Sequence, residues 1–501
     1  MSDLVSRVPA DRVALRTEGR PPLTYGNLST LIGATTRGIV NRRSVESTAP
    51  IALMLAAGPE LASAFLALSD ATAVAPLNPA FKEAELEFYL TDLGAKTLVT
   101  TPGHDVACGV ARRLGLDVLF VEHRAGDPAG VFHLDCGASA RSDAPTRRPV
   151  PADAALVLHT SGTTARPKLV ALTHANLCAS AETIAASLGL SATDCCLNIM
   201  PLFHVHGLVA AVMASLSAGA SVYCSPGFNA HRFFSWLSDS GATWYTAVPT
   251  MHHAILGRAR VNQDIVASHC LRFVRSCSAP LPLQTWRALE DTFHVPVISA
   301  YGMTEASHQI SCTPRVHPEP KRGTVGRATG AEVAIMDEEG CIAPAGAVGE
   351  VVIRGDSVIK AYAGNATATA ASFRSGWFRT GDEGRLDAEG YLTLTGRLKE
   401  IINTGGEKVA PLEVDAVLME HPGVSQALAF AVPDLSLGER VAAVVVLRPD
   451  ADATPESLRA FAAERLARFK VPRTVLILDA IPTGPTGKFQ RTVMARQLGL
   501  V

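Results

Sequence analysis

Apolar strand-like runs and helix-like stretches alternate along the first half of the chain. Residues 51–55, 97–100 and 155–158 are typical of buried strands, and residues 79–93 are typical of a helix. Strands that alternate with helices indicate layered α/β structure rather than a sandwich of antiparallel sheets. We therefore predict an α/β fold, with a Pro- and Arg-rich connector at residues 141–151.

After Gly330 the apolar segments become shorter and are no longer separated by helix-like stretches. Strand-like segments at residues 332–336, 349–353 and 391–394 follow one another, with Gly-containing turns between them and no helical stretch of comparable strength. Consecutive short strands divided by turns are typical of antiparallel sheet. We predict a smaller β-rich subdomain here.

The pattern changes again after Arg397. A helix is predicted at residues 411–419, a strand at 441–447 and a second helix at 455–467. These elements would make a compact α+β domain of about a hundred residues. We therefore predict an N-terminal domain of residues 1–397 and a mobile C-terminal domain of residues 398–501.

The apolar run at residues 208–224 is the one segment long enough to suggest a membrane. It is rich in Ala and Ser, contains Gly219 and ends in a turn-like Ser-Pro-Gly, so we predict a buried helix that leads into a strand. The first 15 residues lack the charged and apolar regions of a signal peptide. The 10 Cys residues are scattered without a CxxC pair, which favours a reducing, cytoplasmic environment.

Composition narrows the class of protein. The chain has 501 residues, of which 48% are hydrophobic and 18% charged, and a formal net charge of -2. This length needs more than one core. The charge balance argues against a nucleic-acid partner, for which a strong basic excess is expected. No pattern in the sequence predicts an oligomeric state.

A hydroxyl-rich motif follows the strand-like run at residues 155–158 and precedes a predicted helix near Thr173. It reads His-Thr-Ser-Gly-Thr-Thr-Ala-Arg-Pro-Lys over residues 159–168. Backbone N–H and hydroxyl groups on such a turn suit phosphate oxygens, and Lys168 adds a positive charge. The ending is not that of a Walker loop. A solvated Ser/Thr loop is the alternative.

Two carboxylates stand at the ends of predicted strands. Glu305 follows Thr304 after an apolar strand, where the pair could hold Mg²⁺ or where Glu305 could simply complement a helix dipole. Asp382 ends the segment 377–382, where it could cap a turn or accept hydrogen bonds from two ribose hydroxyls.

Two further motifs contain lysines. One is the segment 396–409 at the predicted domain boundary, and the other is Pro-Thr-Gly-Lys-Phe-Gln-Arg at residues 485–491, which contains Lys488. A lysine in a Gly-Lys turn is in general exposed and without a role. Each of the five motifs is weak alone, and their specificity lies in their combination.

The five motifs, in this order and at this spacing, resemble those of the acyl-activating, or adenylate-forming, superfamily. It contains acyl-CoA synthetases, luciferases and adenylation domains of peptide synthetases. The resemblance covers residues 23–491. It implies a large N-terminal domain that binds ATP and a small C-terminal domain that rotates between two half-reactions. The first would form an acyl-adenylate and the second a thioester, with CoA as the expected acceptor.

The resemblance also implies which residues bind ATP. The phosphate loop would include Thr160, Ser161, Gly162, Thr163, Thr164 and Lys168. The adenine base would be enclosed by Ser278, Ala279, Pro280, Ala300, Tyr301, Gly302 and Met303. Asp382 and Arg397 would bind the ribose, and Thr304 and Glu305 would support Mg²⁺.

Catalytic and mobile residues follow from the same resemblance. Lys488 is similar to the catalytic lysine that bridges the carboxylate and the α-phosphate, and Lys399 is similar to the hinge residue. The reaction brings two anions together, so preorganised cations and a metal ion stabilise its transition state. Ala165 and Leu169 stand where the superfamily usually has Gly, which would stiffen the phosphate loop, and Thr404 replaces an Arg.

Three segments concern the acid that is activated. Residues 201–207 resemble the segment in which a gating residue, here His204, borders the acyl pocket. With residues 247–253 and 304–309, they are most similar to oxalate–CoA ligases. A dicarboxylate leaves one charged group inside the closed site, where it needs hydrogen-bond donors. His206, His252 and His308 could donate, together with Ser278.

Other interpretations stay open at this stage. The histidines could be satisfied core groups, or His204 and His206 could bind a metal ion. The substrate could be malonate or another short-chain or aryl acid instead of oxalate. The protein could also load a carrier protein rather than CoA, or be an inactive nucleotide-binding relative. Retention of the five motif residues argues against inactivity; these are Lys168, Glu305, Asp382, Arg397 and Lys488.

Overall fold

The computed structural model describes residues 1–42, 49–135, 149–160, 167–315, 321–449, 451–483 and 489–501. Its architecture is mixed α/β, with a large N-terminal part and a small C-terminal part. The predicted fold class is confirmed.

The strands are numbered in chain order. The first sixteen are β1 (Val13–Arg16), β2 (Leu23–Thr24), β3 (Ile51–Met54), β4 (Val74–Pro76), β5 (Thr97–Thr100), β6 (Asp117–Glu122), β7 (His133–Leu134), β8 (Ala154–Thr160), β9 (Lys168–Thr173), β10 (Cys195–Asn198), β11 (Ser221–Cys224), β12 (Trp244–Ala247), β13 (Phe273–Ser276), β14 (Val297–Met303), β15 (His308–Cys312) and β16 (Arg327–Ala328). The others are β17 (Glu332–Met336), β18 (Gly349–Arg354), β19 (Phe373–Arg374), β20 (Trp377–Leu386), β21 (Leu392–Arg397), β22 (Ile402–Thr404), β23 (Glu407–Val409), β24 (Val424–Asp434), β25 (Gly438–Leu447) and β26 (Thr474–Ile477).

The α-helices are numbered in the same way. They are α1 (Ser2–Ser6), α2 (Tyr25–Arg42), α3 (Pro59–Ser69), α4 (Glu83–Asp92), α5 (Asp105–Arg113), α6 (His174–Leu188), α7 (Ala214–Ser217), α8 (Phe233–Ser240), α9 (Pro249–Ala259), α10 (Gln263–Ser268), α11 (Leu283–Phe293), α12 (Ala366–Ser372), α13 (Pro411–Met419), α14 (Pro455–Ala463) and α15 (Arg491–Gln497).

Two large sheets form the N-terminal part. In the described residues, one sheet has seven strands in the order β7-β6-β5-β3-β4-β8-β9, and the other has nine in the order β16-β15-β14-β13-β12-β10-β11-β1-β2. Strands β3 and β5 are buried along their whole length, as expected for parallel strands covered on both faces. The strands and the helix that the sequence predicted in this part are confirmed, with ends that shift by a few residues.

The nine-stranded sheet presents one edge to the candidate site. Strands β10, β12, β13 and β14 are neighbours and parallel, so their carboxyl ends lie together. In open α/β sheets ligands bind outside such carboxyl ends. The loops that follow these four strands contain His204, Ser278 and Glu305, among the residues predicted to act in the reaction.

The apolar run at residues 208–224 forms part of this sheet and its cover. It belongs to a π-helix, His206–Met213, followed by α7 and β11, and nearly all of it is buried. The predicted helix followed by a strand is confirmed. In the described parts of the chain, no helix combines the length and the apolar character needed to span a membrane.

Two smaller sheets follow. Strands β17, β18, β20, β19 and β21 form an antiparallel unit, which confirms the β-rich segment predicted after Gly330. Strands β22 to β26 form another sheet, with a core of their own that includes side chains of α13 and α14. The domain boundary after residue 397 stays a prediction.

Candidate active site

A β-hairpin carries the predicted phosphate loop. Strands β8 and β9 are antiparallel, and Thr160 pairs with Lys168 at the loop end of the hairpin. Residues 161–166 lie outside the described residues, so the assignments of Ser161, Gly162, Thr163 and Thr164 stay predictions. Helix α6 begins after Thr173, whose hydroxyl accepts a hydrogen bond of 3.1 Å from the N–H of Asn176. The helix start predicted near Thr173 is confirmed.

Lys168 and Glu305 are joined by a residue that sequence analysis missed. The Lys168 Nζ atom lies 4.3 Å from the centroid of the Tyr362 ring, a cation–π contact. The Tyr362 hydroxyl donates a hydrogen bond of 2.9 Å to Glu305 Oε1. A tyrosine 57 residues away along the chain from Glu305 carries no local sequence signal for this role.

The Glu305 carboxyl group is buried just after the end of strand β14. It belongs to a short 3₁₀ helix, Thr304–Ala306, and burial raises its pKa, while the Tyr362 hydrogen bond and the Lys168 charge oppose that shift. A nearby cation would favour its ionised form. With one oxygen held by Tyr362, the other can accept a metal ion, and Mg²⁺ needs only one or two carboxylates besides water and phosphates. The residues present therefore fit magnesium.

The predicted ribose-binding residues form a hydrogen-bonded group. Strands β20 and β21 place Asp382 opposite Arg397, whose Nε atom lies 2.9 Å from Asp382 Oδ1. The Tyr301 hydroxyl donates to Asp382 Oδ2 at 2.5 Å. Burial and the Asp382 charge raise the pKa of Tyr301, so its hydroxyl stays a donor. Each carboxylate oxygen keeps a further acceptor site, which a ribose hydroxyl could use.

The two predicted adenine-binding segments lie at one edge. Ala300, Tyr301, Gly302 and Met303 end β14, while Ser278, Ala279 and Pro280 follow the neighbouring strand β13. Gly302 is required by close packing, because a Cβ atom there would lie 1.5 Å from the carbonyl oxygen of His308. The structure thus brings together the segments that the sequence suggested for a nucleotide base.

A second polar group lies beside this edge. His206 begins the π-helix and is 2% exposed; its Nδ1 atom is 3.0 Å from Ser278 Oγ. Its ring centroid is 4.9 Å from that of His308, which is also 2% exposed. His204 is partly exposed, in the loop before the π-helix, and its ring centroid is 4.7 Å from that of Phe203. His206, Ser278 and His308, three of the residues predicted to face the acid, therefore lie together.

His252 is separate from this group. Its Nδ1 atom is 3.3 Å from the hydroxyl of Tyr245, and burial lowers its pKa to about 3. Side chains alternate between the faces of a strand, and on β12 Tyr245 packs in a different core cluster from Trp244. Thr246, which contacts His206, shares the face of Trp244. His252 thus lies with the core on the opposite face, as the core alternative expected.

Arg275 is a further residue that sequence analysis missed. Its side chain is completely buried next to His206: Nη1 lies 3.4 Å from His206 Nε2 and 3.1 Å from Thr246 Oγ1. Nη2 donates to Gln309 Oε1 at 2.8 Å. The site therefore contains a permanent positive charge beneath the histidines.

The remaining predicted residues concern the C-terminal part. Lys399 is exposed in the turn that follows β21, where the Glu400 N–H donates to the Arg397 carbonyl at 2.8 Å. Lys488 lies outside the described residues, and its catalytic role stays a prediction. Within the described ranges, no group of three or more His, Cys, Asp or Glu side chains is placed to hold a metal ion.

Three features together define an adenylate-forming class of enzyme. They are the hairpin at the predicted phosphate loop, the buried Glu305 carboxylate near Lys168, and the Asp382–Arg397 pair of the antiparallel strands β20 and β21, which Tyr301 of β14 contacts. Models of known families agree. The AMP-binding enzyme family matches residues 3–363, and its C-terminal domain, described as that of an AMP-binding enzyme, matches residues 413–488. The chain belongs to the AMP-binding enzyme family.

Individual relatives cover nearly the whole chain. An oxalate–CoA ligase from Arabidopsis thaliana is 42% identical, over 97% of this chain and 95% of the relative. One from Saccharomyces cerevisiae is 37% identical, over 94% of this chain and 92% of the relative. The crystal structure of ATP-bound MatB from Rhodopseudomonas palustris matches with a TM-score of 0.89 and 28% identity, over 99% and 98% of the two chains. The predicted resemblance to oxalate–CoA ligases is confirmed.

Proposed function

We propose that this protein is an oxalate–CoA ligase that acts in two steps. In the first, oxalate attacks the α-phosphate of ATP, which gives oxalyl-AMP and pyrophosphate. In the second, the CoA thiol attacks the acyl carbon of oxalyl-AMP, which gives oxalyl-CoA and AMP. One observation carries the choice of acid: the His206–His308 pair with Ser278, above the buried Arg275, in a chain similar to oxalate–CoA ligases over nearly its full length.

Adenylation joins two anions, so its transition state needs positive charge and donors that are already in place. Lys168 and the hairpin loop supply these to the phosphates of ATP, with Asp382 and Arg397 on the ribose. Glu305 and Thr304 hold Mg²⁺, which neutralises phosphate charge when bound. Lys488 stabilises the charge that develops between the carboxylate and the α-phosphate. His204 borders the acyl pocket.

The distal carboxylate of oxalate would explain why His206, His308 and Ser278 lie together. An ionised carboxylate inside a closed site is costly unless donors satisfy it. His206, His308 and Ser278 bring three polar side chains together at this position. A fatty acid would find no apolar wall at this position.

The second half-reaction needs a different environment around the same acyl-AMP. We infer that the C-terminal domain, residues 398–501, turns about Lys399, which removes Lys488 and admits the CoA thiol. Such domain closure around a fixed site is a common way to separate two steps. We also place the protein in the cytoplasm, since the nine cysteines in the described residues are free thiols.

An AMP-release assay with a panel of acids tests the proposed function. With ATP, Mg²⁺ and CoA, we expect oxalate to support faster AMP release at low concentration than malonate, acetate, propionate or benzoate. His308→Ala should lower kcat/KM for oxalate by roughly a hundredfold, because a charged carboxylate loses a donor. The turnover of propionate should hold, because propionate has no charge at that position. A wild-type enzyme that ignores oxalate would contradict the proposal.

A further inference from the structure

Arg275 is a buried cation without a carboxylate partner among the described residues. It is 0% exposed, and it donates hydrogen bonds to two neutral side chains, Thr246 on β12 and Gln309 on β15, with His206 Nε2 3.4 Å from its Nη1 atom. Gln309 is itself held in place, because its amide nitrogen donates to Ser187 at 3.0 Å and to Thr329 at 3.1 Å. A buried charge that lacks a counter-ion destabilises a fold, so a role in binding an anion is a reason for its presence.

The hydrogen bonds next to Arg275 have a single consistent direction. Arginine can only donate, so Arg275 Nη1 donates to Thr246 Oγ1 at 3.1 Å. The Thr246 hydroxyl then donates its one proton to His206 Nε2, 2.6 Å away. A proton on Nε2 would face a second donor, since Arg275 Nη1 also lies 3.4 Å from it. His206 therefore carries its proton on Nδ1.

This tautomer determines what Ser278 can do. His206 Nδ1 lies 3.0 Å from Ser278 Oγ and donates to it, which leaves the Ser278 hydroxyl proton for another acceptor. Ser278 lies two residues after the end of β13 and is partly exposed, with φ of 72°, a left-handed conformation that is rare for residues other than glycine. Strained backbone of this kind is concentrated at functional sites. The Ser278 hydroxyl is thus available as a donor just beyond the carboxyl end of β13.

We propose that Arg275 and Thr246 are positioning residues for substrate specificity: a relay from Arg275 through Thr246 and His206 makes Ser278 a donor to the distal carboxylate of a small dicarboxylate. The relay rests on the proposed function for the identity of that acid. Arg275 acts through other side chains and supplies the positive charge that the distal carboxylate needs. A monocarboxylate gains nothing from this relay.

The first test measures the tautomer of His206 directly, and it does not require any substrate. Nitrogen-15 NMR of histidine-labelled protein, with the His206 signals assigned by comparison with His206→Gln, reports which ring nitrogen carries the proton. The relay predicts protonation of Nδ1 in the wild type and in Thr246→Ser, and loss of that preference in Thr246→Val. Protonation of Nε2 in the wild type would overturn the proposal.

The second test compares two acids. Thr246→Val keeps the side-chain shape but removes the hydroxyl, and should lower kcat/KM for oxalate about tenfold, as expected for one hydrogen bond, with little effect on propionate. Arg275→Met should lower kcat/KM for oxalate roughly a hundredfold. Thr246→Ser should restore most of the oxalate activity. Tyr245→Phe removes a hydroxyl from the other face of the same strand and serves as the control. It should leave the ratio of kcat/KM for oxalate to kcat/KM for propionate unchanged.

The outcomes separate the two proposals. Parallel losses for oxalate and propionate in Thr246→Val would overturn the relay while leaving the oxalate–CoA ligase proposal intact. Wild-type enzyme that does not activate oxalate would overturn the proposed function, and the NMR result would still decide the relay. If Arg275→Met does not fold, the Thr246 variants carry the kinetic test.

Discussion

The Asp382 side chain links the strand pair β20–β21 to Tyr301 at the adenine edge. Asp382→Ala removes the acceptor that we assign to the ribose and leaves the acyl pocket untouched. We expect the affinity for ATP to fall by roughly tenfold to a hundredfold, as for loss of charge-assisted hydrogen bonds. Calorimetry with ATP measures this, and the KM for oxalate should change little. Unchanged ATP affinity would make the ribose assignment wrong.

The role of the Tyr362 hydroxyl beside Glu305 can be tested with a single substitution. Tyr362→Phe keeps the ring beneath Lys168 but removes the 2.9 Å hydrogen bond to Glu305. Because this bond helps to hold the buried carboxylate ionised, we expect a weaker response to Mg²⁺, with the concentration for half-maximal activity raised about tenfold. Titration of Mg²⁺ at saturating ATP gives the answer. Equal Mg²⁺ dependence in both proteins would exclude this role for Tyr362.

Some site residues could be predicted from sequence and others could not. His206, Ser278 and His308 lie in motifs that resemble those of known ligases. Arg275 lies three residues after Arg272 in an apolar strand, and the two look alike in the sequence. Arg272 pairs with Asp194 and is about one-third exposed, whereas Arg275 is completely buried. The neighbouring strands decide which arginine is buried, and they come from distant parts of the chain.

Strand β12 also shows that local sequence does not determine where a side chain lies in the fold. Adjacent residues on a strand point to opposite faces, so Thr246 contacts His206 while Tyr245 contacts His252. The sequence motif that contains His252 predicted an acyl-binding role, but helix α9 places the ring in the aromatic core behind the sheet. A motif alone does not say on which side of a strand its residues lie.

We propose that the two half-reactions depend on the turn after β21, which contains Lys399. Lys399→Pro restricts φ at this position to about −65° and removes one N–H group. We expect the domain rotation to be blocked, so that adenylate formation persists while thioester formation falls at least tenfold. Single-turnover assays with ATP alone, and then with CoA added to the preformed oxalyl-AMP, separate the steps. Lys399→Ala serves as a control for the charge, and full turnover in Lys399→Pro would move the hinge elsewhere.

The stability of the whole molecule should depend on pH through two buried histidines. Burial lowers the pKa of His252 to about 3 and that of His174 to about 4. Both would titrate near 6.5 in the unfolded chain. Below pH 6.5 the unfolded state therefore binds protons that the folded state does not, and stability falls as the pH falls. Each residue contributes about 1.4 kcal/mol of lost stability per pH unit until its folded pKa is reached.

A comparison of variants isolates the contribution of His252. His252→Gln removes its titration, so the melting temperature should fall less between pH 6.5 and pH 4.5 than in the wild type, by scanning calorimetry. His231→Gln is the control, because the His231 side chain is exposed in the folded protein. Identical pH dependence in wild type and His252→Gln would mean that the ring is not held neutral by burial.

The fold was largely accessible from the sequence because many of its strands are apolar runs separated by turns or helices. The helix at residues 411–419 and the strand at residues 332–336 match the predicted bounds. The order of strands within the sheets was not accessible, because β1 and β2 join the nine-stranded sheet across a long stretch of chain. Pairing of that kind depends on packing of the whole molecule rather than on local pattern.

A competition between acids tests the central claim most directly. Wild-type enzyme is mixed with ATP, Mg²⁺, CoA and equal concentrations of oxalate, malonate, acetate and propionate, and the thioester products are separated and identified by mass spectrometry. The account predicts that oxalyl-CoA is the main product at early times. A product mixture dominated by acetyl-CoA or propionyl-CoA would contradict the assignment of the His206–His308 pocket to a second carboxylate, and with it the proposed substrate.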